Sequence, residues 1–109
     1  MPLISVKLPD MVTSAGGTAS SAIGLFDDAW AITIFSTAAS FTSTAVTVAV
    51  EHTSTGTDFV TLLSGDDSVL VVAQTARVIS PVPFLQMRLD HSGAEAAERT
   101  FRVRKTILT

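Results

Sequence analysis

Apolar and polar positions alternate with a period of two along most of this chain. Ile4, Val6 and Leu8 alternate with Ser5 and Lys7, and Trp30, Ile32 and Ile34 with Ala31 and Thr33. Val46, Val48 and Val50 alternate with Thr47 and Ala49, and Leu85, Met87 and Leu89 with Gln86 and Arg88. Phe101, Val103 and Lys105 lie opposite Arg102, Arg104 and Thr106. Successive strand residues point to opposite faces, so each segment predicts a strand with an inward apolar face and an outward polar one. Residues 59–63 and 69–73 are apolar without strict alternation, which predicts strands buried more fully or on both faces.

The gaps between these segments hold turn chemistry. Thr55-Gly56-Thr57-Asp58 and Ser64-Gly65-Asp66-Asp67 bracket the run at 59–63. Pro81 and Pro83 cannot donate ladder hydrogen bonds, so 80–83 reads as an edge, a bulge or a switch between sheets. Ser92 and Glu95 have capping-box spacing, but 92–98 is too short for an independent helix and reads as a loop. With no long helical pattern, the expectation is an all-β chain: a single antiparallel β-sandwich or small barrel of about seven to eight strands. Trp30, Phe35, Phe59, Phe84 and Phe101 are the expected large pieces of its core.

The 109 residues suffice for one domain with one core, residues 1–109. Apolar residues are 47% and charged residues 16%, which excludes a disordered tail. There is no Cys, hence no disulfide, thiolate nucleophile or Cys-based zinc site. Pro9 and Asp10 interrupt the start before an apolar targeting core can form. The longest apolar run, 69–73, is far short of the roughly 18 residues of a spanning helix, so no membrane partner is expected. Residues 1–76 carry one base and seven acids, giving −6, and 77–109 carry six bases and three acids, giving +3. The net charge of −3 argues against nucleic acid, and the asymmetry is compatible with head-to-tail contacts between copies.

Residues 11–24, MVTSAGGTASSAIG, break the alternation. They carry no charge and no period. A loop of this length is either a mobile surface loop or an arm that becomes ordered against a partner. Met11, Val12, Thr13, Ala15, Gly16 and Gly17 are therefore candidate interface residues. Arg99, Arg102 and Arg104, with Lys105, form the one basic concentration, either solvated or meeting an acidic partner surface.

Candidate chemistry is sparse. Glu51, His52 and Asp58 are close in sequence, but strand neighbours Glu51 and His52 point apart, leaving at most an acid–base pair across the hairpin. His91 is the other histidine, and no motif brings it near. Three ligands for zinc are not in evidence, so no metal and no cofactor are expected. Asp27-Asp28 and Asp66-Asp67 lack the spacing of a calcium loop. Gly16-Gly17 lacks the lysine of a phosphate loop, and no serine sits in a nucleophile elbow. No catalytic residues are assigned, and the chain does not read as an enzyme.

Three stretches in order carry a resemblance: VTVAVEHTSTGTDFVTLLSG (46–65), SPVPFLQMRLD (80–90) and SGAEAAERTFRVRK (92–105). A strand, a Gly-containing hairpin, an aromatic-led strand, a strand reading F-x-x-M-R-L and a last strand reading R-T-F-R-V follow one another. This order resembles the small β-sandwich virion proteins of tailed bacteriophages, of the capsid decoration or cement type. The resemblance implies a structural protein on the outer surface of the head. Copies, trimers favoured, would bind the major capsid protein and clamp neighbouring subunits against the pressure of packaged DNA. Two other functions stay open: a tail or collar adaptor of the same fold, and a carbohydrate-binding sandwich on a tail or fibre, using Trp30 beside Asp27-Asp28. In such sugar-binding hairpins a Trp commonly follows the turn; here Phe59 takes its place.

Overall fold

The structure, a computed structural model, describes residues 2–24, 26, 28–53, 55–80, 82 and 84–108. Every regular element among them is a strand. In chain order these are β1 (Leu3–Lys7), β2 (Met11–Thr13), β3 (Ala31–Ser36), β4 (Val46–Glu51), β5 (Val60–Thr61), β6 (Leu63–Ser64), β7 (Asp67–Ser68), β8 (Thr75–Ile79), β9 (Gln86–His91) and β10 (Arg99–Leu108). All pair antiparallel.

Two sheets face each other. Sheet 1 runs β1-β10-β3-β8, with β2 also on the β1 side of β10. Sheet 2 runs β5-β4-β9, and β6 and β7 form a separate hairpin. No ladder joins the two sheets among the described residues, so the fold is a sandwich and not a closed barrel. Two irregular segments widen sheet 2. Along β9, the N–H groups of Ser20 and Ile23 donate to the carbonyls of Leu89 and Met87 at 2.8 and 2.9 Å. Along β4, the N–H of Val71 donates to Val46 and that of Val48 to Val69, at 2.8 and 3.0 Å.

Register places the apolar positions as the alternation predicts. Val46, Val48 and Val50 of β4 pair with His91, Leu89 and Met87 of β9 on one face. Ile32 and Ile34 of β3 and Phe101 and Val103 of β10 answer from sheet 1. Each fully buried aliphatic side chain in this layer contributes about 1.5–3 kcal/mol.

The aromatic core differs from expectation. Phe84 and Phe101 are buried, and so is Phe26, whose ring packs edge-on against Phe84 at 5.5 Å. Trp30, just ahead of β3, is 52% exposed. Phe35 has the opposite parity to Ile32 and Ile34, so it points outward. Phe59 lies on the outer side of sheet 2, under the Arg88 guanidinium at 4.4 Å, a cation–π contact and not core packing. The runs at 59–63 and 69–73 are not doubly buried either. Val69 and Val71 point inward, whereas Val60, Leu63, Leu70 and Val72 are exposed. Pro81 and Pro83 lie outside the described residues.

Candidate functional site: a laced edge and an open edge

Residues 11–24 close one side of the sandwich. Met11 and Thr13 pair with Phe101 and Arg99 in sheet 1, and both are fully buried. The chain then turns at 14–17 and continues along β9 in sheet 2. Gly16 has φ +81°, a left-handed backbone that glycine adopts without steric cost. A Cβ on Gly17 would lie 2.9 Å from the carbonyl oxygen of Ser14. The turn docks on Glu95 backbone to backbone: the N–H of Gly16 donates to Glu95 O at 2.6 Å, and the N–H of Glu95 to Gly17 O at 3.1 Å.

A polar network lies beneath this turn. Strand parity continues the inward set Met87, Leu89 to His91, and Thr13 faces it from the other sheet. Thr13 Oγ1 is 2.7 Å from His91 Nε2, and His91 Nδ1 is 3.2 Å from Glu95 Oε2. A carboxylate only accepts, so Nδ1 carries a proton and donates to Glu95; Nε2 and the Thr13 hydroxyl share the second hydrogen bond. Glu95 also accepts from the Thr42 N–H at 3.0 Å, the Ser43 N–H at 2.9 Å, the Ser43 hydroxyl at 2.6 Å and Arg99 Nε at 2.9 Å. The loop at 37–45 thus wraps the carboxylate, and Phe41 and Phe101 flank the imidazole. Burial pushes the Glu95 carboxyl up, but the Ser43 hydroxyl and amide, the Thr42 amide and Arg99 outweigh that and hold it far below its usual value.

Hydroxyl, imidazole and carboxylate stand here in the order of a nucleophilic triad. Catalysis would need the hydroxyl open to a substrate. Thr13 is 0% exposed, and so are the side chains of His91 and Glu95. The network therefore joins the two sheets and the loops at 14–17 and 37–45. No sequence motif places His91, and residues 92–98, despite the capping-box spacing of Ser92 and Glu95, read as a loop. Ser92 instead accepts from the Ala45 N–H at 3.0 Å. Extending the alternation of β9 by one step to residue 91 was the available signal for His91.

The candidate interface residues are thereby redistributed. Met11 and Thr13 belong to the core, and Gly16 and Gly17 to the Glu95 dock. Val12 is half-buried and Ala15 is exposed. The segment expected as a loop or partner-ordered arm is thus held inside the chain at both ends. The arginine stripe divides by parity. Arg99 shares the inward side with Phe101 and turns to Glu95, while Arg102 and Arg104 face outward. Arg104 Nε donates to Ser5 Oγ at 2.7 Å, and Arg102 forms no ion pair among the described residues.

Glu51 is not on the hairpin surface. It is fully buried beneath the loop at 52–58, accepting from the N–H groups of Gly56 at 2.9 Å and Asp58 at 2.8 Å and from the Thr55 hydroxyl at 3.1 Å. Burial raises its carboxyl pKa, and the amides of Asp58 and Gly56 with the Thr55 hydroxyl bring it below the ordinary value. His52 is exposed, as the opposite parity requires. No group of three metal-ligating side chains occurs among the described residues. Asp27 lies outside them. Asp28 pairs with Lys105, which lowers its pKa. Asp66 is exposed in the turn between β6 and β7, and Asp67 is exposed at the start of β7.

The opposite edge is built differently. There β8 ends sheet 1, while β5 and the 69–71 segment end sheet 2. The chain crosses between them at 72–74, where Gln74 has φ 56°. Val60, Leu63, Leu70, Val72 and Val78 are all exposed, Val60 at 63% and Val78 at 59%. A cavity of about 230 Å³ lies between the two borders, lined by Leu62, Leu63, Val69, Arg77, Val78 and Ile79 among others. Comparison of the chain with protein-family models, curated proteins and solved structures gave no match.

Proposed function

We propose that this chain is a structural assembly protein of a tailed-phage virion, a decoration or cement protein on the outside of the head. One observation carries the assembly half of this reading: five large apolar side chains stand exposed within residues 60–78, along one border of the sandwich. The segments that form this border thus present apolar surface to solvent, the kind of surface that partners cover. The finer identity rests on the order of strands and turns in 46–65, 80–90 and 92–105, which resembles that virion class. In this reading the chain binds the major capsid protein and further copies of itself through the open edge, and the laced edge keeps each copy rigid.

The test is co-sedimentation of the purified chain with expanded heads of the phage that encodes it, together with sedimentation equilibrium of the chain alone. Saturable binding to heads and a concentration-dependent oligomer are expected. A chain that stays monomeric and does not associate with heads overturns the reading. A second reading, a carbohydrate-binding module on a tail or fibre, draws on the exposed indole of Trp30. Glycan-array signal abolished by Trp30→Ala would favour it over the first, and a blank array would remove it.

A further inference from the structure

Arg77 is the feature of the open edge that the fold itself does not explain. It pairs with Ile34 in the β3–β8 ladder, on the core-facing side of the sheet. Its Nε is buried and has no hydrogen-bond partner. No ion pair joins its guanidinium among the described residues. Among the described residues it is the one charged side chain lining the 230 Å³ cavity, whose other walls are largely Leu62, Leu63, Val69, Val78 and Ile79. Buried polar groups in native proteins are almost always satisfied, so an orphaned guanidinium N–H on a side chain that lines an apolar cavity points to an absent partner. The planar fork of arginine matches a carboxylate.

The backbone beside it is also unpaired. β8 is the terminal strand of sheet 1, and residues 75–79 make no backbone hydrogen bond on their outer side among the described residues. A free strand edge next to an apolar cavity is the geometry of strand addition: main-chain bonds supply affinity, and alternate side chains enter pockets. We propose that the open edge takes up an extended segment of a partner protein as an added strand beside β8. A carboxylate of that segment sits on Arg77, and its apolar neighbours occupy the cavity. This rests on the assembly reading above and names the chemistry of the partner. A second copy of the chain fits less well. In the register that centres β8 on itself, Arg77 faces Arg77, and like charges opposed across strands are destabilising. Of the chain's own exposed acids here, Asp66 lies in the turn after Gly65, and Asp67 opens the two-residue strand β7, already paired with Ser64.

An inward charge on an edge strand also discourages indiscriminate pairing, and the experiment separates that role from recognition. The full chain, isotopically labelled, is titrated with the capped peptide Val-Thr-Val-Thr-Glu-Thr-Val-Thr, whose valines share the face of the Glu, and with versions carrying Gln or Lys in place of Glu. Amide shifts and hydrogen exchange report the site. The Glu peptide is expected to shift and protect residues 75–79, with affinity at least tenfold above the Gln and Lys peptides. Arg77→Gln should erase that difference while the melting temperature stays level or rises, since a half-buried guanidinium with an unsatisfied Nε is removed. Because the Glu-to-Gln comparison uses the unaltered protein, it stands whether or not the variant folds. Equal binding of the three peptides, or no protection of β8, overturns the proposal and leaves Arg77 as an edge guard. Binding of octanoate without the peptide also overturns it, in favour of a small-carboxylate pocket. Heads provide the separation from the assembly reading. Wild type and Arg77→Gln binding heads equally sinks this inference alone. Peptide binding without head binding sinks the head assignment and leaves the strand-addition site.

Discussion

At one border of the sandwich, residues 11–24 pass from sheet 1 to sheet 2 with backbone hydrogen bonds on both sides and a buried Thr13–His91–Glu95 network underneath. At the other, residues 60–78 also pass between the sheets, but five large apolar side chains remain in water and Arg77 Nε has no partner. The composition of the two segments suggests the reverse. The first is rich in Gly, Ser, Ala and Thr, like a flexible linker. The second is rich in Val and Leu, like a core. The difference lies in where polar groups are satisfied. Small residues let the 11–24 backbone approach Glu95 and β9 closely, so its amides and carbonyls find partners within the chain. Large apolar residues at an edge have one sheet face to cover them, and alternation turns every second one outward.

The laced border should respond most strongly to mutation. Glu95→Ala strands five donors in a dry site, and urea unfolding should show a loss of about 3–5 kcal/mol. A loss below about 1 kcal/mol would mean the network is incidental. The same carboxylate sets the acid response. The folded pKa values of Glu95 and Glu51 lie below the ordinary 4.5, so the native state binds fewer protons than the unfolded one. Their contribution is fully present above that pH and falls away as pH drops below it. Denaturation midpoints from pH 7 to 3 should decline, and Glu95→Gln should flatten the decline.

Smaller effects test the turn and the bridge between sheets. Gly17→Ala should cost about 1–3 kcal/mol, since its Cβ meets the Ser14 carbonyl. Thr13→Val keeps the shape but leaves His91 Nε2 unpaired, for a loss of about 1–3 kcal/mol by thermal melts. The open border should barely register in stability. Val60→Thr, Leu63→Thr, Val72→Thr and Val78→Thr are each expected within about 0.5 kcal/mol of wild type. Combined, they should instead weaken self-association and head binding. Large destabilisation with unchanged association would invert the contrast between the two borders.

Much of the fold was legible beforehand. Period-two alternation located β1, β3, β4, β9 and β10, and it also sorts Arg99 from Arg102 and Arg104 once parity is applied. The turn glycines Gly56 and Gly65 have φ of 79° and 67°, as tight reversals need. The buried network was only half legible. His91 continues the inward set of β9, but nothing local marks Glu95 as its partner, because Thr13 and Ser43 reach the same point from elsewhere in the chain. Phe59 and Trp30 misled for a related reason: aromatic content predicts burial on average, whereas Phe59 lies under Arg88 on an outer face and Trp30 sits just outside β3.

The sequence by itself determined the alternation, the reversals and hence an antiparallel all-β chain, sandwich or small barrel, because these depend on neighbours within a few residues. Tertiary structure alone decided which border is closed. That outcome depends on groups far apart in the chain: Gly16 on Glu95, Thr13 on His91, Thr42 and Ser43 on Glu95. It depends equally on Arg77 and β8 finding no such partner. Burial and hydrogen bonding at an edge are set by what arrives from the rest of the chain, which local pattern does not encode.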